Sequence, residues 1–119
     1  MLQWQVPAMI SARVVMAAAI RTLYASLMTS TLFTIVCDYA GGTYISQVRA
    51  SDQENAITAW AALLRREQPI EGVSDQIARD ADERERNIVP LEGLSGVWCW
   101  TTLAEDELVL VNVIRSAQP

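Results

Sequence analysis

Hydrophobic and polar residues alternate along two neighbouring segments, Leu32–Tyr39 and Thr43–Ala50. This period of two is typical of β-strands that bury one face. Gly41 and Gly42 separate the segments, and glycine readily adopts the positive φ angles of a two-residue hairpin turn. The pattern therefore predicts a first β-hairpin that turns at these two glycines.

The predicted turn also sets the register of this hairpin. With both glycines in the loop, Tyr39 lies opposite Tyr44 and Phe33 lies opposite Ala50. Side chains alternate across a strand, so these pairs share an apolar face that we expect to form the core. Two further pairs complete this face, Cys37/Ser46 and Ile35/Val48. The opposite face is largely polar and carries Asp38/Ile45, Val36/Gln47 and Thr34/Arg49.

A helical period follows the first hairpin. Ser51 and Glu54 form a capping box, which predicts a helix from Asp52 to about Arg66 with Ser51 as its N-cap. An apolar stripe with a spacing of 3.6 residues runs along it, formed by Ala56, Ile57, Trp60, Leu63 and Leu64. We expect this stripe to cover the apolar face of the hairpin, with Trp60 as its largest buried side chain.

A second, more polar helix is predicted from Asp75 to Arg86, with Ser74 as its N-cap. Acidic residues precede arginines by four positions at three places, which favours ion pairs within the helix. The pairs are Asp75/Arg79, Asp80/Arg84 and Asp82/Arg86. Its apolar side is narrow, so we expect a helix held loosely at the surface.

A second hairpin is predicted from Val97–Leu103 and Leu108–Ile114, joined by the residues 104–107. Its register places Trp98 opposite Val113 and Trp100 opposite Val111 on one face. The other face is also apolar, and its apolar members are Val97, Cys99, Leu103, Leu108, Leu110 and Ile114. A strand that is apolar on both sides is normally covered on both sides. The six residues are therefore a candidate interaction surface, unless the segment 88–94 or the N-terminal segment covers them.

These elements predict an α+β fold of the order β-β-α-α-β-β. Two hairpins form a four-stranded, mainly antiparallel sheet, which one capped amphipathic helix and a second, more polar helix cover. The 119 residues suffice for one domain, which we place at residues 29–119.

Residues 1–28 differ from the remainder because they contain two arginines and no acid. The apolar stretch Val14–Ile20 is barely long enough for a secretory signal, and Arg21 ends it. Arg21 and the polar residues after it also break any window long enough for a transmembrane helix. An arginine-bearing targeting presequence is one alternative. We favour an N-terminal extension outside the core, in which Met28 marks the natural start, and we expect residues 29–119 to fold without it.

Composition excludes much catalytic chemistry. All nine basic residues are arginine, so the chain has neither histidine, the commonest general base, nor lysine for a Schiff base. Neither a phosphate-binding loop nor a zinc-binding spacing is present. The net charge of −5 disfavours nucleic-acid binding. We therefore expect no metal, no other cofactor and no nucleic-acid partner.

The two cysteines, Cys37 and Cys99, lie in separate predicted strands. We expect both to be reduced, buried thiols that act as small apolar side chains. A disulfide between the two hairpins is the alternative and requires an oxidising compartment. A catalytic thiolate is disfavoured because neither sequence neighbourhood supplies a cation.

Two classes of function remain. The first is a small cytoplasmic, non-catalytic interaction module, either a homodimer or an immunity-like or antitoxin-like inhibitor that uses its acidic surface against a basic partner. The second is a small homo-oligomer that binds a ligand, or acts as an enzyme, at an aromatic pocket. That pocket is predicted to be lined by Tyr39, Tyr44, Trp98 and Trp100.

Overall fold

The computed structural model describes residues 30–84 and 86–117, and it has the predicted α+β fold. The strands are β1 (Thr31–Tyr39), β2 (Gly42–Ala50), β3 (Val89–Pro90), β4 (Val97–Ala104) and β5 (Glu107–Arg115). The helices are α1 (Gln53–Glu67) and α2 (Ser74–Ala81), which lie between β2 and β3 in sequence. The predictions for residues 1–28 lie outside the described residues.

All five strands belong to one antiparallel sheet of the order β2-β1-β5-β4-β3. The prediction of four strands was wrong, because the expected loop before the second hairpin contains the two-residue strand β3. Val89 pairs with Cys99 and Pro90 with Trp98 at the outer side of β4. A two-residue strand that contains proline carries almost no sequence signal, and only its position beside β4 makes it a strand.

The first hairpin turns one residue earlier than predicted. Its turn residues are Ala40 and Gly41, with φ angles of 48° and 84°, and Gly42 already belongs to β2. Tyr39 therefore lies opposite Gly42, and Cys37 lies opposite Tyr44. Every partner moves by two positions, which keeps each side chain on its predicted face. The predicted pairs were wrong, and the predicted faces were right.

The second hairpin has the predicted register, with Val97 opposite Ile114 and Trp100 opposite Val111. Its strands continue further than expected, to Ala104 and from Glu107, and leave a two-residue turn. The turn residues Glu105 and Asp106 both have positive φ angles, 50° and 65°. Two-residue turns of this handedness match the twist of the strands even without glycine.

Helix α1 begins one residue later than predicted, and its N-cap is Asp52. The Asp52 carboxylate accepts a hydrogen bond of 2.8 Å from the Asn55 backbone N–H. The Ser51 hydroxyl instead accepts from the Asn55 side-chain amide at 2.7 Å. Since both Ser51 and Asp52 are good N-cap residues, the sequence alone does not choose between them.

Helix α2 is shorter than predicted and ends at Ala81. Ser74 is not its N-cap: the buried hydroxyl donates to the Ile70 carbonyl and accepts from the Ile70 N–H, both at 2.9 Å. Asp82 pairs with Arg65 of α1 at 2.6 Å rather than with Arg86. Contacts with α1 therefore replace the last turn of the predicted helix.

The core lies between the sheet and the two helices. Trp60 on α1 is 1% exposed, as predicted for the largest side chain of the stripe. The sheet supplies alternate residues of the four long strands, which are Phe33, Ile35, Cys37, Val48, Trp100, Ala104, Val109, Val111 and Val113. These positions define the covered face of the sheet. The residues between them point to the opposite side.

Candidate interaction surface on the sheet

The second side of the sheet, which we call the open face, points away from both helices. Its members alternate with the core residues, and we define it by the following positions: Leu32, Thr34, Val36, Asp38, Thr43, Ile45, Gln47, Arg49, Val89, Val97, Cys99, Thr101, Leu103, Leu108, Leu110, Asn112 and Ile114. Alternation along paired strands places them together, since neighbouring strands run in register.

All six residues of the predicted surface lie on the open face. Four of them form two cross-strand pairs between β4 and β5: Val97 lies opposite Ile114, and Leu103 lies opposite Leu108. Leu103 and Leu108 are 59% and 57% exposed. The other four members, Val97, Cys99, Leu110 and Ile114, are half-buried. The structure thus brings the predicted residues onto one surface, and Leu103 and Leu108 form its most exposed pair.

Sequence reasoning missed a second apolar pair on this face. Val36 of β1 lies directly opposite Ile45 of β2, and Ile45 is 67% exposed. The predicted register had separated them by pairing Ile45 with Asp38 and Val36 with Gln47, so this side of the hairpin looked polar. The turn decides this pairing, since Ala40 and Gly41 rather than Gly41 and Gly42 are the turn residues, and the sequence alone accommodates either choice.

Polar side chains on the open face bond to one another along the first hairpin. The Thr43 hydroxyl donates to the Asp38 carboxylate at 2.7 Å, and the Gln47 amide donates to the Thr34 hydroxyl at 3.1 Å. Thr34 also shares a hydrogen bond of 2.6 Å with the Ser116 hydroxyl. These hydrogen bonds satisfy polar side chains of the first hairpin within the open face itself.

The tip of the second hairpin is acidic. Glu105, Asp106 and Glu107 are consecutive and exposed, and they lie beside the exposed Leu103 and Leu108. Burial raises the pKa of the nearby Tyr39 hydroxyl, and the charges of Glu107 and Glu105 raise it further. This end of the sheet therefore combines an apolar pair with a concentrated negative charge.

The four aromatic residues of the predicted pocket lie on the covered face, and the two cavities described below contain only Trp100 of the four. The Tyr39 hydroxyl donates to the Ala104 carbonyl at 3.0 Å. Trp98 packs against Phe33, with ring centroids 6.2 Å apart, and the Arg115 guanidinium lies 5.9 Å from the Trp98 ring centre. These contacts give Tyr39 and Trp98 structural partners.

Two shallow cavities flank Trp100 near β3. One has a volume of about 270 Å³ and lies beside Asp80, Glu83 and Arg86, while the other, of about 370 Å³, lies beside Val89, Leu91 and Cys99. Neither includes Tyr39, Tyr44 or Trp98. In the first cavity the Asp80 carboxylate already accepts a hydrogen bond of 2.9 Å from Thr102.

The two cysteines are free and lie on opposite sides of the sheet. Cys37 is fully buried on the covered face, and Cys99 is half-exposed on the open face. Their strands are also separated by β5, so the geometry of a disulfide is out of reach. The expectation that both thiols are buried was therefore correct only for Cys37. Burial, assisted by the charge of Asp38, raises the pKa of Cys37 from 9.0 to about 12.

The buried Cys37 thiol predicts a loss of stability at alkaline pH. Above pH about 9 the thiol of the unfolded chain loses its proton, whereas the native thiol keeps its proton until about pH 12. The unfolded state then binds fewer protons, so stability that is present below pH 9 falls as pH rises, by roughly 1 kcal/mol per pH unit. Tyr39, whose pKa is also raised, adds to the loss in the same direction. Urea unfolding between pH 7 and 11 measures this slope, which must be shallower in Cys37→Ala if the thiol is responsible.

No match came from models of known protein families, from curated proteins or from solved structures. Across residues 30–84 and 86–117, no group of three or more cysteine or acidic residues is placed to hold a metal ion. The helices described by the structure are all too short or too polar to cross a membrane.

Proposed function

We propose that this chain is a small, non-catalytic protein-interaction module that binds a partner protein through its open face. The partner surface is apolar at its centre and basic at its edge, as in the inhibition of a basic toxin by an immunity protein or antitoxin. As part of the same proposal we place the module in the cytoplasm, and we expect it to bind no nucleic acid.

The observation that carries this proposal is the grouping of exposed apolar side chains. Five large hydrophobic residues are strongly exposed among those described, and four of them, Ile45, Val89, Leu103 and Leu108, belong to the open face. Scattered exposed hydrophobic residues are normal, whereas a contiguous apolar patch with a polar rim marks an interaction site. On β4 and β5 the half-buried Cys99 and Leu110 lie between Val89 and the pair Leu103 and Leu108.

Charge supports a basic partner. The chain has a net charge of −5, and Glu105 and Asp106 form the β4–β5 turn at the end of the sheet where Leu103 and Leu108 are exposed, while Glu107 pairs with Ala104 on the covered side. An acidic cluster attracts a basic surface over several ångströms and orients it before apolar contact is made. Such an association is faster at low salt and weakens as salt screens the charges.

The alternative, a ligand-binding homo-oligomer or enzyme with an aromatic pocket, has less support. Its predicted aromatic residues pack against the core and the backbone rather than around a common cavity. The cavities beside Trp100 are open and bordered by a hydrogen-bonded carboxylate. Neither arrangement presents a group with an activated proton or nucleophile.

Site-specific photo-crosslinking in the native host tests the proposal. A benzophenone amino acid at Leu108 is expected to capture a partner, whereas the same group at Ala62, exposed on α1, is not. The captured protein is then purified and titrated against the wild-type chain at low and high salt. We expect binding that weakens with salt and that falls at least about tenfold in the Leu103→Ser/Leu108→Ser variant, since such residues form the centre of an interface.

Leu94→Ser is the matched control, because Leu94 is 59% exposed but lies in the loop between β3 and β4. All three substituted leucines are exposed, so each variant is expected to keep its melting temperature. Equal crosslinking from Leu108 and Ala62, or equal weakening by the loop and sheet substitutions, would contradict an interface on the open face.

A further inference from the structure

We propose that two copies of this chain pair antiparallel along their β2 strands, around a two-fold axis at Ile45, and join their sheets into one sheet of ten strands. This interface is the outer edge of β2, and β1 separates it from the β4–β5 hairpin, whose Leu103 and Leu108 are the test positions for the partner site. The occupant of the edge is thus a second copy of the chain.

Alternate residues of β2 direct their backbone N–H and C=O groups to the outer side of the strand, away from β1. In a two-residue hairpin the residues that flank the turn, here Tyr39 and Gly42, bond to each other, and alternate residues then bond across the hairpin. The backbone groups of Thr43, Ile45 and Gln47 therefore point away from β1. No strand among the described residues pairs with this side of β2.

The edge lacks most of the features that normally protect an exposed strand. Natural edges are guarded by proline, bulges, charge or shortness. β2 is nine residues long, pairs with β1 without a bulge and contains no proline, and its one charged residue, Arg49, lies next to its last residue. Its central outward position is Ile45, which is 67% exposed. Such an edge is a template for another strand.

Apolar residues also flank the edge on the covered face. Helix α1 packs most closely over β2, and α2 lies beside it over β4. The Arg65–Asp82 ion pair and the contact of Thr58 with Arg86 mark the side of α1 that faces α2. At 100° per residue, Ala59 and Leu63 lie on the opposite side of α1, toward the outer edge of β2. Both are half-buried.

The edge is also self-complementary. With Ile45 opposite Ile45 of the second copy, Thr43 lies opposite Gln47 in both directions, and about six backbone hydrogen bonds form. The same axis brings Ile45 to its own copy on the open face. An isologous contact requires this kind of symmetry. Because the chain carries a net charge of −5, a strand without acidic residues also avoids placing acids of the two copies directly opposite each other.

Sedimentation equilibrium of the full chain tests the proposal. We expect a reversible dimer whose dissociation constant rises at least about tenfold in Ile45→Lys, which places two cations opposite each other. Gln47→Pro is expected to do the same, because it removes an outward backbone N–H without removing a backbone hydrogen bond to β1, although it also removes the side-chain hydrogen bond to Thr34. The Leu103→Ser/Leu108→Ser variant is the control and must remain dimeric, so the two proposed interfaces are tested separately.

Circular dichroism melts establish that each variant is folded, and hydrogen exchange of the wild-type chain gives a measurement that needs no variant. The amides of Thr43, Ile45 and Gln47 are expected to become protected as the chain concentration rises. A chain that stays monomeric at every concentration overturns the proposal, as does a dimer unaffected by both edge substitutions. Concentration-independent protection also overturns it, because the edge would then be covered within a single chain.

Discussion

Replacing Trp60 with alanine is expected to lower the free energy of unfolding by about 3–5 kcal/mol. Trp60 is 1% exposed and lies at the centre of the α1 stripe that covers the sheet. Its removal leaves a large cavity among side chains that cannot collapse fully, since strands fix the opposite wall. No other residue of α1 buries as much apolar surface.

Urea unfolding of the variant and of the wild-type chain gives this difference directly, provided that the m-value is unchanged. Leu94→Ala is the control, because it removes apolar atoms from an exposed loop residue. We expect the control to change stability by less than about 0.5 kcal/mol. A Trp60→Ala variant as stable as the control would mean that α1 does not cover the sheet as described.

Replacing Arg86 with alanine is expected to cost about 2–4 kcal/mol, which is large for an arginine. Its side chain is only 10% exposed and joins the ends of both helices. One Nη donates to the Ala81 carbonyl at 2.7 Å, and the other donates to the Glu54 carbonyl at 2.5 Å and to the Thr58 hydroxyl at 3.2 Å. The substitution leaves these acceptors without their donors and opens a gap between α1 and α2.

Two further substitutions distinguish the contribution of the Arg86 hydrogen bonds to stability from the contribution of its charge. Glu54→Gln removes the carboxylate that lies 3.4 Å from Arg86 but keeps the backbone acceptors, so we expect a loss below about 1 kcal/mol. Arg84→Ala removes a nearby exposed arginine and is expected to be neutral. Thermal unfolding at low and high salt measures all three variants. A salt-sensitive loss of equal size in Glu54→Gln would show that the ion pair, rather than the backbone hydrogen bonds, provides the stability.

The division of the sheet into two faces was predictable, because it depends only on the alternation of side chains. Phe33, Ile35 and Cys37 are buried as predicted, although their observed partners in β2 lie two positions from the predicted ones. A shift of two residues preserves the face, whereas a shift of one would have reversed it. The six residues of the candidate surface were found for the same reason.

The exact neighbours on the open face were not predictable, because they depend on the turn. Gly41-Gly42 and Ala40-Gly41 are both acceptable two-residue turns, and the chosen turn brings Val36 beside Ile45. Alanine at positive φ is locally unfavourable, so the pairing of whole strands must offset that cost. The exposed apolar group at β2 could therefore be recognised only after the register was known.

The position of α1 could also be predicted from the sequence, whereas the end of α2 could not. The apolar spacing of α1 was sufficient to locate it and to identify Trp60 as buried. In contrast, α2 ends at Ala81 because Arg86 donates to its terminal carbonyl and reaches across to Glu54, a residue 32 positions earlier. Charge pairs predicted within one helix were replaced by pairs between helices, which local sequence does not encode.

By itself, the sequence determined the fold class, the two hairpins, the helix that covers the sheet and the side of the sheet on which each residue lies. These features follow from periods of two and 3.6 residues, which are properties of neighbouring residues along the chain. Only the tertiary structure decided the strand order, the fifth strand, the first turn and the outer position of β2. Those features depend on backbone hydrogen bonds between distant segments, whose donors and acceptors are alike at almost every residue.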